Sequence, residues 1–145
     1  MYQKILVALE NSRADASLLP HVTGLARHFH SHLLLVHVAD GWAARHFNRL
    51  KLAESEEMKA DRAYLDATAA QLRGHGLTVT SHLELGDPAT EILKTAEREH
   101  CDLIAMTAHG HRLLGDLFFG STIHEVRHRS FVPILLVRAG SKKNP

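Results

Sequence analysis

Short strand-like runs alternate with stretches of helical periodicity along the whole chain, and no other feature constrains the fold as tightly. Lys4-Ile-Leu-Val-Ala-Leu9 is a continuous apolar run, as expected of a strand covered on both faces. Asn11-Ser12 supplies turn and cap residues, with Asp15 three places on as in a capping box. Leu18, Val22, Leu25, Ala26 and Phe29 then recur at helical spacing, before a second apolar run, Leu33-Leu-Leu-Val36, within residues 32–38. Residues 41–49 read as a connection. Met58, Leu65, Ala69 and Leu72 mark the inner face of a long helix that Gly74 and Gly76 end. Thr78-Val-Thr-Ser-His-Leu-Glu84 is polar and β-prone, as an edge strand would be. Asp87-Pro88 reads as an N-cap with proline in the first turn, and Ile92, Leu93 and Ala96 as the buried side of that helix. Asp102-Leu-Ile-Ala-Met106 is a fourth strand, residues 121–129 a short helix, and Val132-Pro-Ile-Leu-Leu-Val137 a fifth strand. Strands separated by helices pair in parallel through right-handed crossovers, which puts helices on both faces of one α/β sheet.

Composition narrows the class. The chain has 145 residues, enough for one domain over residues 1–140, with residues 141–145 expected as a flexible tail. Seventeen basic and sixteen acidic residues are intermixed, and the only basic pair of note is Lys142-Lys143. That disfavours nucleic acid, which calls for a basic face. No apolar run approaches the ~20 residues of a membrane span, and the start of the chain leads into a strand rather than a signal peptide. A single cysteine, Cys101, allows no internal disulfide, so a cytoplasmic location is the expectation. Thirteen histidines make the charge strongly sensitive to mild acid.

The chemistry concentrates after the fourth strand. Gly110 lies just past it, and Gly120-Ser121 follows nine residues later at the expected start of a helix. Glycine lets backbone approach a ligand, and the free N–H groups of a helix start point at an anion. Ligands of open parallel sheets bind outside the carboxyl ends of the strands, where strand order reverses; Glu10 and Val38 end strands on that same side. Other motifs carry less. His124-Glu-Val-Arg-His128 spells a zinc-protease signature, but no His, Asp, Glu or Cys follows His128 to supply a third ligand. His28, His30 and His32 straddle a helix end and a strand start, where histidine suits the helix dipole. No metal site or catalytic residue is expected from either.

Taken together, the chain resembles the universal stress proteins over nearly its whole length. The matching pieces are Lys4-Ile-Leu-Val-Ala-Leu9, Leu35-Val-His-Val38, Gly86-Asp-Pro88, Asp102-Leu-Ile-Ala-Met106 and Val132-Pro-Ile-Leu-Leu-Val-Arg138. The ATP-binding branch of that family carries Gly-x2-Gly-x9-Gly-Ser/Thr; here the loop is Thr107-Ala-His-Gly110, nine residues, then Gly120-Ser121, with Thr107 in place of the first glycine. The resemblance implies an adenine nucleotide α-hydrolase-like fold of strand order 3-2-1-4-5. It implies ATP or a related adenine nucleotide, with or without magnesium, held by Ala8, Leu9 and Glu10 near base and ribose and by the backbone of Val38 at the adenine. Met106, Thr107, His109, Gly110, His111, Arg112, Gly120, Ser121 and Thr122 would surround the ribose and phosphates. Glu10 stands where the family has aspartate, and Thr107 adds bulk and a hydroxyl. The resemblance also implies a homodimer through the last strand. Leu113, Leu114, Leu117, Phe118 and Phe119 make the loop apolar, so the expected role is a cytoplasmic stress-response switch in which nucleotide orders that loop. Two alternatives stay open: an interaction module that has lost nucleotide binding, and a slow nucleotide hydrolase, for which His109 and Glu10 are the only nearby acid–base groups.

Overall fold

A computed structural model of the chain describes residues 1–39, 56–108 and 116–140, with side chains in the last segment from Gly120 onward. The order of elements is β1 (Lys4–Ala8), α1 (Asp15–Phe29), β2 (His32–Ala39), α2 (Glu56–Gly74), β3 (Thr78–Leu85), α3 (Pro88–Arg98), β4 (Leu103–Ala108), α4 (Asp116–Arg129) and β5 (Ile134–Arg138). The strands form one parallel sheet in the order β3-β2-β1-β4-β5. The loop around Gly110 and the tail from residue 141 lie outside the described residues.

Period-two alternation along the central strands builds two cores. Ile5, Val7, Leu33, Leu35, Leu103 and Ala105 face α1 and α2, where Leu18, Val22, Leu65 and Ala69 cover them. Leu6, Ala8, Leu34, Val36, Ile104 and Met106 face α3 and α4, against Ala89, Ile92, Ala96 and Val126. Both faces of β1 are therefore dry, which is why its sequence is a continuous apolar run rather than an alternating one.

Local chemistry sets most of the boundaries. Asp87 caps α3 by accepting from the Thr90 N–H, with Pro88 next, and hydrogen bonding by the Thr90 side chain, then by its N–H, holds the carboxyl below the usual carboxylate range. Gly76, at φ +85°, turns the chain after α2. Three expectations shift. The fifth strand begins at Ile134, because Val132 and Pro133 are still turning; Pro133 contributes only its carbonyl, to the N–H of Ile104. The last helix begins at Asp116, so Gly120 and Ser121 sit inside it rather than opening it. The third is the segment before α1, where the capping box fails. Ala14 occupies the cap position without a side-chain bond, and the Asp15 carboxylate reaches back to the N–H groups of Glu10 and Asn11 instead.

Candidate functional site

Strand β1 is shorter than both its neighbours at the carboxyl end. Its last residue, Ala8, pairs with Val36, while β2 continues to Ala39 alongside Leu85. On the other side, Val7 pairs with Ala105, while β4 continues to Ala108 alongside Arg138. Crossovers leave β1 in opposite directions here, so this notch is the switch point of the sheet. A cavity of about 450 Å³ opens in it.

Backbone parity decides what the notch presents. The Val36 carbonyl accepts from the N–H of Leu9, so Val36 faces β1, and the Ala39 carbonyl accepts from Gly86 on the β3 side. Alternation therefore turns the N–H and C=O of Val38 toward β1, past the point where β1 has ended. On the opposite wall, the N–H of Glu10 is taken by Asp15, 2.9 Å away, which ends the ladder between β1 and β4.

Of the residues expected at a ligand site, Ala8, Leu9, Glu10, Val38, Met106, Thr107 and Thr122 line this cavity. Gly120 and Ser121 lie on the adjoining helix without lining it, and a Cβ built on Gly120 meets nothing within 4 Å. His109, Gly110, His111 and Arg112 lie outside the described residues. Thr107 is 2% exposed, and its hydroxyl is buried with no partner among the described residues. An orphaned buried hydroxyl costs free energy, and Thr107 stands where a glycine would have carried no such group.

A polar network escaped the sequence reading. Asp15, 1% exposed, accepts from Glu10 N–H (2.9 Å), Asn11 N–H (3.0 Å) and the Tyr64 hydroxyl (2.6 Å). Burial, then the bond and charge of Asp15, push the Tyr64 phenol well above its usual range. Asn11, at φ +58°, donates its side-chain amide to Asp61, whose other oxygen lies 3.4 Å from His37 Nε2. His37 Nδ1 bonds the Leu9 carbonyl at 2.8 Å. The signal was present: Asp61 interrupts the apolar stripe of Met58, Leu65 and Leu72, and His37 takes the inward position after Leu33 and Leu35.

The remaining histidine motifs lie on the outside of the helices or at a strand start. His124 and His128 are exposed on α4 with ring centroids 4.4 Å apart. His28 stacks edge-on against Phe29, while His32 bonds Thr80 across the sheet, its pKa lowered chiefly by burial.

Residues 1–138 match the universal stress protein family model. The chain belongs to the universal stress protein family. Universal stress protein MJ0577 of Methanocaldococcus jannaschii is 28% identical over 95% of this chain and 96% of its own length. Its solved structure superposes with a TM-score of 0.80 over 98% of this chain and 99% of that one. Universal stress protein YxiE of Bacillus subtilis is 26% identical, covering 95% of this chain and all of the relative. A universal stress protein of Archaeoglobus fulgidus, solved in complex with dAMP, shares the fold at 19% identity, with a TM-score of 0.68 over 94% of this chain and 98% of that chain. These neighbours have the adenine nucleotide α-hydrolase-like fold, which this chain shares, its own sheet running in the order β3-β2-β1-β4-β5.

Proposed function

We propose that this stress protein binds ATP or another adenine nucleotide in the notch beyond β1 and acts in the cytoplasm as a homodimeric switch rather than as an efficient catalyst. The observation that carries the reading is the cavity itself, at the switch point, with Val38 offering both a backbone donor and a backbone acceptor into it. A pair of that kind, one N–H and one C=O from a single residue, complements the adjacent acceptor and donor on the amino edge of adenine. The dAMP complex of the Archaeoglobus relative supports the same ligand class. No lysine or arginine is among the described residues lining the cavity, so phosphate contacts fall to backbone N–H groups and to the segment after Thr107.

The dimer is supported by the open edge of β5. Alternation turns the backbone groups of Ile134, Leu136 and Arg138 away from β4, and Leu136 (39%) on this strand and Phe131 (105%) three residues before it are exposed apolar side chains. Val137 is buried, so Leu136→Lys probes the interface without disturbing the core. A dimer that turns monomeric in Leu136→Lys, at unchanged helical content, is the expected result in sedimentation.

Isothermal titration with ATP tests the nucleotide reading. Wild type should bind, and Gly120→Val should not: Gly120 does not line the cavity itself, but the motif shared with the ATP-binding branch of the family puts this glycine at the phosphates, where valine adds bulk. Gly120 lies within a helix, where valine is tolerated better than glycine by a few tenths of a kcal/mol, so loss of binding in this variant is a local effect and not unfolding. If wild type fails to bind ATP, ADP or AMP at millimolar concentration, the nucleotide reading falls and the interaction-module reading replaces it.

A further inference from the structure

We infer that His37 is a positioning residue of the cavity, and that its hold on the wall formed by Leu9, Glu10 and Asn11 depends on one proton shared with Asp61. The inference uses the nucleotide reading above only for the identity of the ligand.

A carbonyl oxygen only accepts, so the bond to Leu9 fixes a proton on His37 Nδ1. In a neutral ring, Nε2 would then present a lone pair to a carboxylate oxygen of Asp61 3.4 Å away. Two acceptors facing each other repel. The contact is attractive only when a proton lies between them, making either an imidazolium beside a carboxylate or a neutral ring beside a carboxylic acid. The side chains are only 14% and 9% exposed, so the repulsion is screened less than it would be between exposed groups.

That proton joins three elements. Through His37 it ties β2 to the Leu9 carbonyl; through Asp61 it ties α2 to the side chain of Asn11. Leu9, Glu10, Asn11, His37 and Asp61 all line the cavity. Removing the proton sets Asp61 against His37, and Asn11 loses the fixed acceptor that holds it.

Charge acts in the same direction. From α2, Asp61 and Glu57 share the cavity with His37, and from the segment after β1, Glu10 does so. Asp15 and Tyr64 lie one link further along the network. On β3 the register partner of His37 is Leu83, whose neighbours His82 and Glu84 are turned to the other face by alternation. Among the described lining residues, His37 is therefore the one group able to carry positive charge beside three carboxylates. An anionic ligand binds more tightly when it does, so affinity falls as pH rises.

The test combines ATP titrations between about pH 5.5 and 8.5, the imidazole range, with nitrogen-15 spectra of the His37 ring in nucleotide-free protein. Asp61→Asn is the informative variant. Its amide oxygen can accept from Asn11 while its NH₂ donates to a neutral Nε2, so the geometry persists without the shared proton. Wild-type affinity should fall about tenfold across the range beyond the change seen in Asp61→Asn, equivalent to about 1.4 kcal/mol. Phosphate ionisation of ATP is common to both proteins and cancels. In the spectra, wild-type Nε2 should carry or share a proton at the acid end, while Asp61→Asn keeps the neutral Nδ1–H ring throughout. Should Asp61→Asn not fold, His37→Asn keeps a donor for Leu9, loses the titration, and should show the same flattened profile. Parallel pH profiles in variant and wild type, or a wild-type ring neutral at every pH, would overturn the inference. Failure of wild type to bind any nucleotide would count against the ligand reading alone, since the ring spectra still decide the proton.

Discussion

The two ends of β1 use the same device for different ends. At the amino end, the Asp102 carboxylate accepts from the N–H groups of Gln3 and Lys4 at 2.8 and 3.1 Å. At the carboxyl end, the Asp15 carboxylate accepts from Glu10 and Asn11 at 2.9 and 3.0 Å. Asp102 lies at a partly exposed rim, beside an ion pair between Lys4 and Glu99. Water can replace its bonds, and it simply closes the sheet. Asp15 is buried, holds Tyr64 as well, and keeps the chain from continuing as a strand. Without it, Glu10 could extend the ladder to β4 and fill the notch. An aspartate spanning two consecutive N–H groups finishes a strand at one end and keeps a cavity open at the other; burial is what separates the two outcomes.

Removing each aspartate in turn separates the two ends most strongly. Asp15→Ala leaves two backbone donors and a phenol without their acceptor and should cost about 3 kcal/mol, against about 1 kcal/mol for Asp102→Ala, whose donors reach water. Urea denaturation of the two variants measures the ratio, and equal losses would remove the distinction between the ends.

A smaller effect isolates one arm of the buried cap. Tyr64→Phe removes a hydrogen bond to a charged group, worth about 1.5 kcal/mol. The folded phenol is held above its usual range, so its contribution is intact below about pH 10, the ordinary tyrosine value, and is lost as pH rises beyond it. Wild type should be more stable than Tyr64→Phe at neutral pH, with the gap narrowing in strong alkali. Melting curves across that range check the sign.

The smallest effect sharpens the functional side. Thr107→Val keeps the shape of the side chain and deletes the orphaned hydroxyl, so stability should rise by up to about 1 kcal/mol. A clear loss of stability instead would mean that the hydroxyl has a partner outside the described residues.

Much of the fold was legible in the residues. The runs at Lys4, Leu33 and Leu103 are apolar without alternation, a pattern that fits strands covered on both faces, and the helical stripes at Leu18, Met58 and Ile92 name the residues that cover them. Boundaries were less legible where a tertiary partner overrides local preference. Asp15 looked like part of a local capping box, yet its carboxylate serves the segment behind it and a tyrosine forty-nine residues away. Gly120-Ser121 looked like a helix opening and lies a turn inside α4, because helix ends depend on which donors find partners.

The class of fold, its two faces and the family follow from the residues alone, since hydrophobic periodicity and a spaced glycine motif are properties of the chain. These also put Ala8, Glu10, Val38 and Thr107 at strand ends. Long-range packing is what stops β1 short, turns the backbone of Val38 into the resulting notch, and brings Asn11, Asp61 and His37 together there. Those outcomes depend on register and on buried contacts between residues twenty-four to fifty positions apart. No local pattern encodes such distances, because hydrogen bonds and desolvation act on where groups end up in space.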